Sequence, residues 1–523
     1  MNNSKELRFS KNARESMIRG IDRLADSVKV TIGPKGRNVI LEQESGPPIV
    51  TNDGVSIARE IILKDTFENI GARLLAEVAS STNESAGDGT TTAILLAQSM
   101  IHRGLNMINK GVNPVLMREG MDYAGKQIVL DLIRQSLPVQ TREEISAVAS
   151  VSSGSDTIGE LIADAVESVG NDGLIFVDES KSFETSLEIN LGYRYDRGYL
   201  MVERINDPEH QCIRLRNTFV LVYYGHLHSL YKLTGLLNQL SASNRPLLII
   251  ASQIDDLVID ELMSYPKNLV YVTKSPGLNM YAKDYMEDIC AITHTRLFDE
   301  HTALEDLTFI DLGQAKNVII EALQTTIAID YKQIAMFDRH IRSLQKKLEE
   351  SNHPTEQQII QDRISRLGHK VAFIKVGSLS EANLKEQKAR INDALNSTRA
   401  AIEEGVVKGG GTALVQAYKS IKNVVHSDNP DINAGIEVVL DSIPDPLFQI
   451  AENAGYNGKE IMNEILTRDD DKGFDARNGR WANFIEEGII DPTIVTRSAL
   501  LNAVNISGLF LTTEVAVGIR KDD

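Results

Sequence analysis

Cysteine is nearly missing from this chain: Cys212 and Cys290 are its only two, and no CxxC spacing joins them. Neither a disulfide framework nor a zinc site is implied, and both read as small buried hydrophobes. A membrane span is missing too, since no unbroken run of about 18 apolar residues occurs. The opening Met1–Lys11 is polar and lacks the apolar core of a signal peptide, so a cytoplasmic protein with no membrane partner is expected. Basic residues are in deficit, 55 Lys plus Arg against 73 Asp plus Glu. The net charge of -18 argues against nucleic acid or an anionic lipid surface as main partner. The ten histidines, His301 among them, show no ligand-like pairing beyond the alternation of His226 and His228, which a solvated strand end explains. No short-period internal repeat is present.

What remains is an ordinary globular composition, 42% hydrophobic and 24% charged, on a chain of 523 residues. That length is too great for one core, and roughly three domains are expected. Ala13, Met17, Ile21, Leu24 and Val28 recur at helical spacing, and Gly33-Pro34 ends the pattern. Ile49-Val50 with Asn52-Asp53-Gly54 reads as a short strand and turn, followed by helices over 58–62, 70–79 and 93–105. Leu174–Val177 is a short β-run. Strand-like runs at 219–223, 247–250 and 269–272 alternate with helical segments, as in an α/β domain. Ile334, Phe337, Ile341, Leu344 and Leu348 predict a helix, 351–355 a turn, and Ile360, Ile364 and Leu367 a second helix. A long helix over 385–407 follows, and the rest to Gly518 is largely helical. α-Rich ends therefore bracket an α/β middle, as when one domain is inserted into another.

Chemistry concentrates in four glycine-bearing segments: Thr31-Ile32-Gly33-Pro34, Asn52-Asp53-Gly54, Gly87-Asp88-Gly89-Thr90-Thr91-Thr92-Ala93, and Gly409-Gly410-Gly411-Thr412. The third runs straight into the apolar 94–97. It therefore places a glycine-flanked carboxylate and three hydroxyls at a helix N-terminus, an arrangement suited to a phosphate and its metal ion. Asp88 is the candidate magnesium ligand. Taken singly, each segment has a plainer reading: a threonine-rich N-cap here, a turn before a helix at Gly409–Gly411. Asp393, on a helix, reads alone as a solvated carboxylate, and Asp491 before Pro492 as an Asp-Pro turn.

Together, in unbroken order from about Phe9 to Thr513, these segments resemble the group I chaperonins, the GroEL-type proteins. The matching stretches include Val28 to Val39, Asp53 to Ser56, the heptapeptide at Gly87, Asp196-Arg197-Gly198-Tyr199-Leu200, Asp311 to Lys316, Lys388-Ala389-Arg390, Arg399 to Val407 and Asp491 to Leu500. The resemblance implies a mainly α fold with α/β parts in three domains. These are an equatorial ATP-binding domain at 1–134 and 404–523, an intermediate hinge domain at 135–190 and 372–403, and an apical domain at 191–371. It implies an ATPase using ATP, Mg2+ and K+. Thr31, Ile32, Gly33 and Pro34 would wrap the nucleotide, Asp88 would ligate magnesium, and Gly89, Thr90, Thr91 and Thr92 would bind phosphates. Gly410 and Asp491 would hold base and ribose, while Asp53 and Asp393 would order the attacking water, Asp393 arriving as the hinge domain closes.

The same resemblance implies seven-membered homo-oligomeric rings, unfolded polypeptides as clients and a GroES-type co-chaperonin lid. Tyr199, Leu237, Ile259 and Met263 would belong to the apolar client rim. Arg197 and Glu381 correspond to positions that pair between subunits, and Asp156 and Arg390 to a pair within the hinge domain, with ordinary surface ion pairs as the alternative. Several positions depart from the pattern. Glu203, Arg204, Thr234 and Ser264 stand where apolar rim residues are usual. Asn52 replaces a lysine in the nucleotide pocket, Asp475, Ala476 and Arg477 replace an Asn-Ala-Ala at the base end, and residues 518–523 lack a Gly-Met-rich tail. A charge facing an apolar client is unfavourable, so Glu203 and Arg204 are expected to narrow the client range unless they pair with each other. The alternative reading is a nucleotide-binding ring scaffold with weakened refolding activity.

Overall fold

A computed structural model describes residues 5–42, 48–170, 173–180, 182–208, 211–243, 245–277, 281–329, 334–351, 353–367, 369–378, 380–468, 470 and 472–519. They form two compact units, the first drawn from 1–164, 179–185 and 376–523, the second from 165–178 and 186–375.

The first unit is built on long helices whose apolar faces meet. Ser10–Val28 buries Ala13, Met17, Ile21, Leu24 and Val28, the stripe read from the sequence. It packs with Thr66–Ala86, Thr90–Asn109, Pro114–Gln135, Pro430–Ser442 and Thr493–Leu511 around one core. Pro114–Gln135 and Pro430–Ser442 cross closely enough to touch backbone to backbone. A Cβ on Gly120 would lie 1.9 Å from the Ile432 carbonyl oxygen, and one on Gly435 1.9 Å from that of Met117. Thr493–Leu511 is the one described helix long and apolar enough to cross a bilayer, yet 67% of that window is buried, as befits a core helix. Among the described residues, four two-stranded antiparallel sheets also belong to this unit: Lys5–Phe9 with Val515–Ile519, Val39–Leu41 with Ile49–Thr51, Val406–Lys408 with Ile490–Pro492, and Gly473–Asp475 with Arg480–Ala482.

The second unit is α/β. Its sheet runs in the order Leu174–Glu179, His369–Val376, Ser186–Tyr195, Thr325–Ile329, Gly313–Ile320, Ile213–Leu227, Leu247–Ile254, Val270–Lys274. The pairings from His369–Val376 to Ile213–Leu227 are antiparallel and the last two parallel. The expected helical pair is present as Ile334–Glu350 and Pro354–Leu367. Arg363, 4% exposed, joins it to helix Ala282–Thr293 by donating to both oxygens of the buried Asp288, at 2.7 and 2.8 Å.

Element ends are where the sequence expectations fail. The helix expected over 385–407 is Glu381–Glu404, because Gly405 (φ 78°) breaks it and Val406–Lys408 instead pairs with Ile490–Pro492. The helix expected to reach Ile62 ends at Glu60. The second helix of the pair already starts at Pro354, inside the expected turn, since a proline suits a first helical position.

Candidate functional site

Three helices of the first unit begin at one cavity, and none of them has a capping side chain. They are Thr90–Asn109 behind Gly89, Thr412–Ile421 behind Gly411, and Thr493–Leu511 behind Pro492. All three leading residues line a cavity of about 960 Å³. First-turn N–H groups lack partners within a helix and the dipoles favour negative charge there, so three converging N-termini make an anion site. Gly89 takes φ 83°, and a Cβ on it would lie 2.7 Å from Val495 Cγ1, so no other residue fits this junction without displacement.

Of the carboxylates lining the cavity, Asp88 and Asp491 stand immediately before two of these helix starts. Asp88 sits in the link between Thr66–Ala86 and Thr90–Asn109, accepting from the Gly89 N–H at 2.5 Å and from Ser397 Oγ at 2.8 Å. Asp491 lies in the strand Ile490–Pro492 and accepts from the Gly410 N–H. Enclosure by protein raises both carboxyl pKa values. Asp491 is pushed up to about 6, with the charge of Asp88 adding to the effect. Asp88 is raised by burial, against the hydrogen bonds from Gly89 and Ser397, with the charge of Asp53 adding. Carboxylates that oppose each other's ionisation beside an anion site are the donor set expected for a hard divalent cation bridging protein and phosphate. The far wall is apolar, with Ile32, Ile450, Phe474 and Phe484. Tyr456 and Trp481 back Phe474 edge-on at 5.1 and 5.4 Å. A planar base would fit there.

Of the residues singled out from sequence, Ile32, Gly33, Pro34, Asp88, Gly89, Thr92, Gly410, Asp475, Ala476, Arg477 and Asp491 line this cavity. Thr31, Asn52, Asp53, Thr90, Thr91 and Asp393 are not in its wall, and their placements differ. Thr31 Oγ1 contacts Thr91 Oγ1 at 3.3 Å, and a Cβ on Gly54 would collide with the Thr90 and Thr91 hydroxyls, so the segment at Asp53 abuts the helix start. Asp53 caps Gly54–Glu60, accepting from the Val55 and Ser56 N–H groups at 3.2 and 2.9 Å. Asn52 is exposed. Asp393 is half-buried on Glu381–Glu404, four residues before the Ser397 that donates to Asp88. A spacing of four places both on one helix face, about 6 Å apart along the axis. Asp475 spends its carboxylate on the turn between Gly473–Asp475 and Arg480–Ala482, accepting from the Arg477 and Asn478 N–H groups at 3.0 and 3.2 Å and from Asn478 Nδ2 at 2.7 Å.

Several expectations need correction. Arg390 pairs with Glu386 one turn back on its own helix, while Asp156 lines the cavity. Arg204 is no rim residue. It is 5% exposed, and its guanidinium donates to the carbonyls of Leu262, Tyr265, Pro266, Lys267 and Val270. Leu237 is fully buried in the second unit's core, so it offers no client contact there. Met263 is 62% exposed, while Tyr199 and Ile259 are half-buried. Arg197 donates to the backbone carbonyls of Asp196 and Gly277, and the Glu381 side chain lies outside the described residues, as do 520–523. The sequence reading missed Arg142, Glu143, Ser146 and Ser150, cavity residues on an ordinary amphipathic helix, Arg142–Ser153, whose only signal was its capping box. It also missed Ser397, for which no local signal exists.

Comparison with known proteins bears on this site. The profile of the TCP-1/cpn60 chaperonin family matches residues 24–518. The chain is 44% identical to the Chaperonin GroEL of Acholeplasma laidlawii over 99% of its length and 98% of the relative's. It is 43% identical to that of Aster yellows witches'-broom phytoplasma, with the same coverage. Among solved structures, the chaperonin gp146 of a Pseudomonas aeruginosa bacteriophage, EL 2, determined in the presence of ATP-BeFx, superposes with a TM-score of 0.61. That superposition covers 99% of each chain at 19% identity, a likeness of fold. Likeness that spans the whole chain, and not the glycine motifs alone, establishes the descent: the protein belongs to the TCP-1/cpn60 chaperonin family.

Proposed function

We propose that this chain is the subunit of an ATP-dependent chaperonin that binds unfolded polypeptides and promotes their folding within a ring cavity. The observation that carries the reading is the convergence of three uncapped helix N-termini on Asp88 and Asp491 in one cavity. The triphosphate takes the helix N-termini, the base takes the wall of Ile32, Ile450 and Phe474, and Asp88 would hold Mg2+, which would supply charge neutralisation; Asp491, expected at base and ribose, is proposed as a second donor because it lies beside Asp88. K+ is proposed as a second cation near the phosphates. Asp53 and Asp393 orient the attacking water, and since Asp393 comes from a separate helix, any movement of that helix gates turnover. The division of the first unit into equatorial and hinge parts belongs to the same proposal.

Client capture is assigned to the second unit, where Val202, Tyr231, Leu257 and Met263 are exposed by 55% or more. Exposed apolar side chains of this size mark binding surfaces when they cluster. Seven-membered rings, a GroES-type lid and a cytosolic location complete the reading. Glu203 and Ser264, both exposed, favour the second reading, a ring scaffold with weak refolding activity. Purified protein is expected to hydrolyse ATP and to raise the yield of a refolding client when a co-chaperonin is added. ATP turnover without any gain in yield would select the scaffold, and no nucleotide binding at all would reject both.

A further inference from the structure

The parallel strands Ile213–Leu227 and Leu247–Ile254 end side by side, in register at His226 with Gln253 and at Leu227 with Ile254. A register shift between Tyr223 and His226 precedes this end, a bulge of the kind that re-aims side chains. His226 and His228, two residues apart, face the same way. Asp255 follows the second strand directly, and its N–H donates to the Leu227 carbonyl at 3.1 Å. The chain beyond His228 is fixed as well: Ser229 Oγ donates to Glu261 at 2.7 Å and the Leu230 N–H to the same carboxylate at 2.5 Å. Three side chains thus converge on a rigid corner. His226 Nε2 lies 2.5 Å from one Asp255 oxygen, His228 Nδ1 2.9 Å from the other, and the ring centroids are 3.9 Å apart. All three potential ligand atoms lie within 4.8 Å of one another, close enough for one ion to reach all of them.

We propose that His226, His228 and Asp255 form a site for one borderline divalent transition-metal ion of the Zn2+ class. Two imidazole nitrogens and one carboxylate oxygen, with water in the remaining position, are a common donor set for such ions. Bonds of about 2.0–2.2 Å require ligand separations of roughly 3.3 Å in a tetrahedron, so small side-chain adjustments turn the present hydrogen bonds into coordination. Each histidine is partly open to solvent, 33% and 69% exposed, which leaves an entry path. The solvated strand end expected from the His226/His228 alternation is therefore only part of the arrangement. The third group is 29 residues from His226 in sequence and beside it only because the two strands end together. The assignment uses residues of the second unit alone and does not depend on the chaperonin reading.

Titration of chelator-treated full-length protein with Zn2+ by calorimetry, and with Co2+ by visible absorption, tests it. Wild type is expected to bind one ion per chain. His228→Ala and Asp255→Asn should weaken binding by more than about a hundredfold, beyond what removal of a group outside the coordination shell does. His228 is the most exposed of the three, so His228→Ala should keep the circular dichroism and oligomeric size of wild type. Undiminished binding in both variants, showing ions held by the other histidines, would overturn the assignment, as would a wild type that binds neither ion at micromolar concentration.

Discussion

At the scale of single residues, the cavity proposed to hold nucleotide is a problem of charge. Asp491 titrates near 6 because it is walled in beside Asp88, whereas an unfolded aspartate titrates near 3.8. The folded state thus holds the extra proton, and this group's stabilising contribution is complete below pH 3.8 and lost as pH rises through about 6. Removing the charge by Asp491→Asn should therefore raise the melting temperature of the nucleotide-free protein at pH 8, raise it about half as much at pH 5, and leave it nearly unchanged only below about pH 3.8. The gain should be about 1–2 kcal/mol once water in the cavity is allowed for. Equal shifts at both pH values would dispose of the coupling. Because a cation held with the help of Asp491 needs the ionised form of that carboxyl, affinity for the Mg2+ complex of the nucleotide should fall about tenfold between pH 7 and pH 5, measured by fluorescence titration. Asp393 poses a different question. Its helix already touches the Asp88 link through Ser397. Asp393→Ala should keep nucleotide binding but lower turnover by roughly a hundredfold or more, as loss of a positioned acid-base group does. Asp88 was legible in the sequence because its neighbours within the motif also build the site, whereas Asp491, alone an ordinary Asp-Pro turn, came only from the family resemblance. Ser397 was not legible, since its partner Asp88 lies 309 residues away, and Arg142 was not, since it sits on an ordinary amphipathic helix that carries no motif.

At the scale of elements, periodicity read the helices and strands well wherever one face packs on a core. Ser10–Val28 and the helical pair at 334–367 are examples. It misjudged ends, where single residues decide. Gly405 turns a helix into the strand Val406–Lys408, and nothing in the repeat of Ala400 and Ala401 foretells it. Rim residues were hardest to read, because a short helix places neighbouring residues inside and outside within one turn. Glu203 and Arg204 show the consequence: adjacent, both charged, yet one is exposed and the other buried under five carbonyls. Their substitutions should separate cleanly. Arg204→Leu strands those carbonyls and should destabilise the protein by about 2–4 kcal/mol in denaturant unfolding. Glu203→Leu should leave stability unchanged and tighten capture of denatured proteins by up to about tenfold. A destabilised Glu203→Leu, or a native-like Arg204→Leu, contradicts the division.

At the scale of the whole molecule, two features of the first unit call for other copies of the chain. The sheet of Lys5–Phe9 and Val515–Ile519 exposes Leu7, Phe9, Val515, Val517 and Ile519, and the hairpin of Val39–Leu41 and Ile49–Thr51 exposes Ile40, Ile49 and Val50. Two-stranded sheets are marginal alone, and open apolar edges recruit further strands. Family membership implies a neighbouring subunit as the natural partner, and we propose that ring closure buries these side chains. A lysine at such a contact must be desolvated against apolar surface, which costs more than a subunit interface can offset without rearrangement. Ile40→Lys combined with Val517→Lys is therefore expected to yield folded subunits that bind nucleotide, since neither residue lines the cavity, but that run as monomers or small oligomers by light scattering. Cooperativity in ATP hydrolysis should disappear with the ring, because coupling between sites needs neighbours to carry it. Rings of unchanged size in the doubly substituted protein would show that assembly rests on other surfaces.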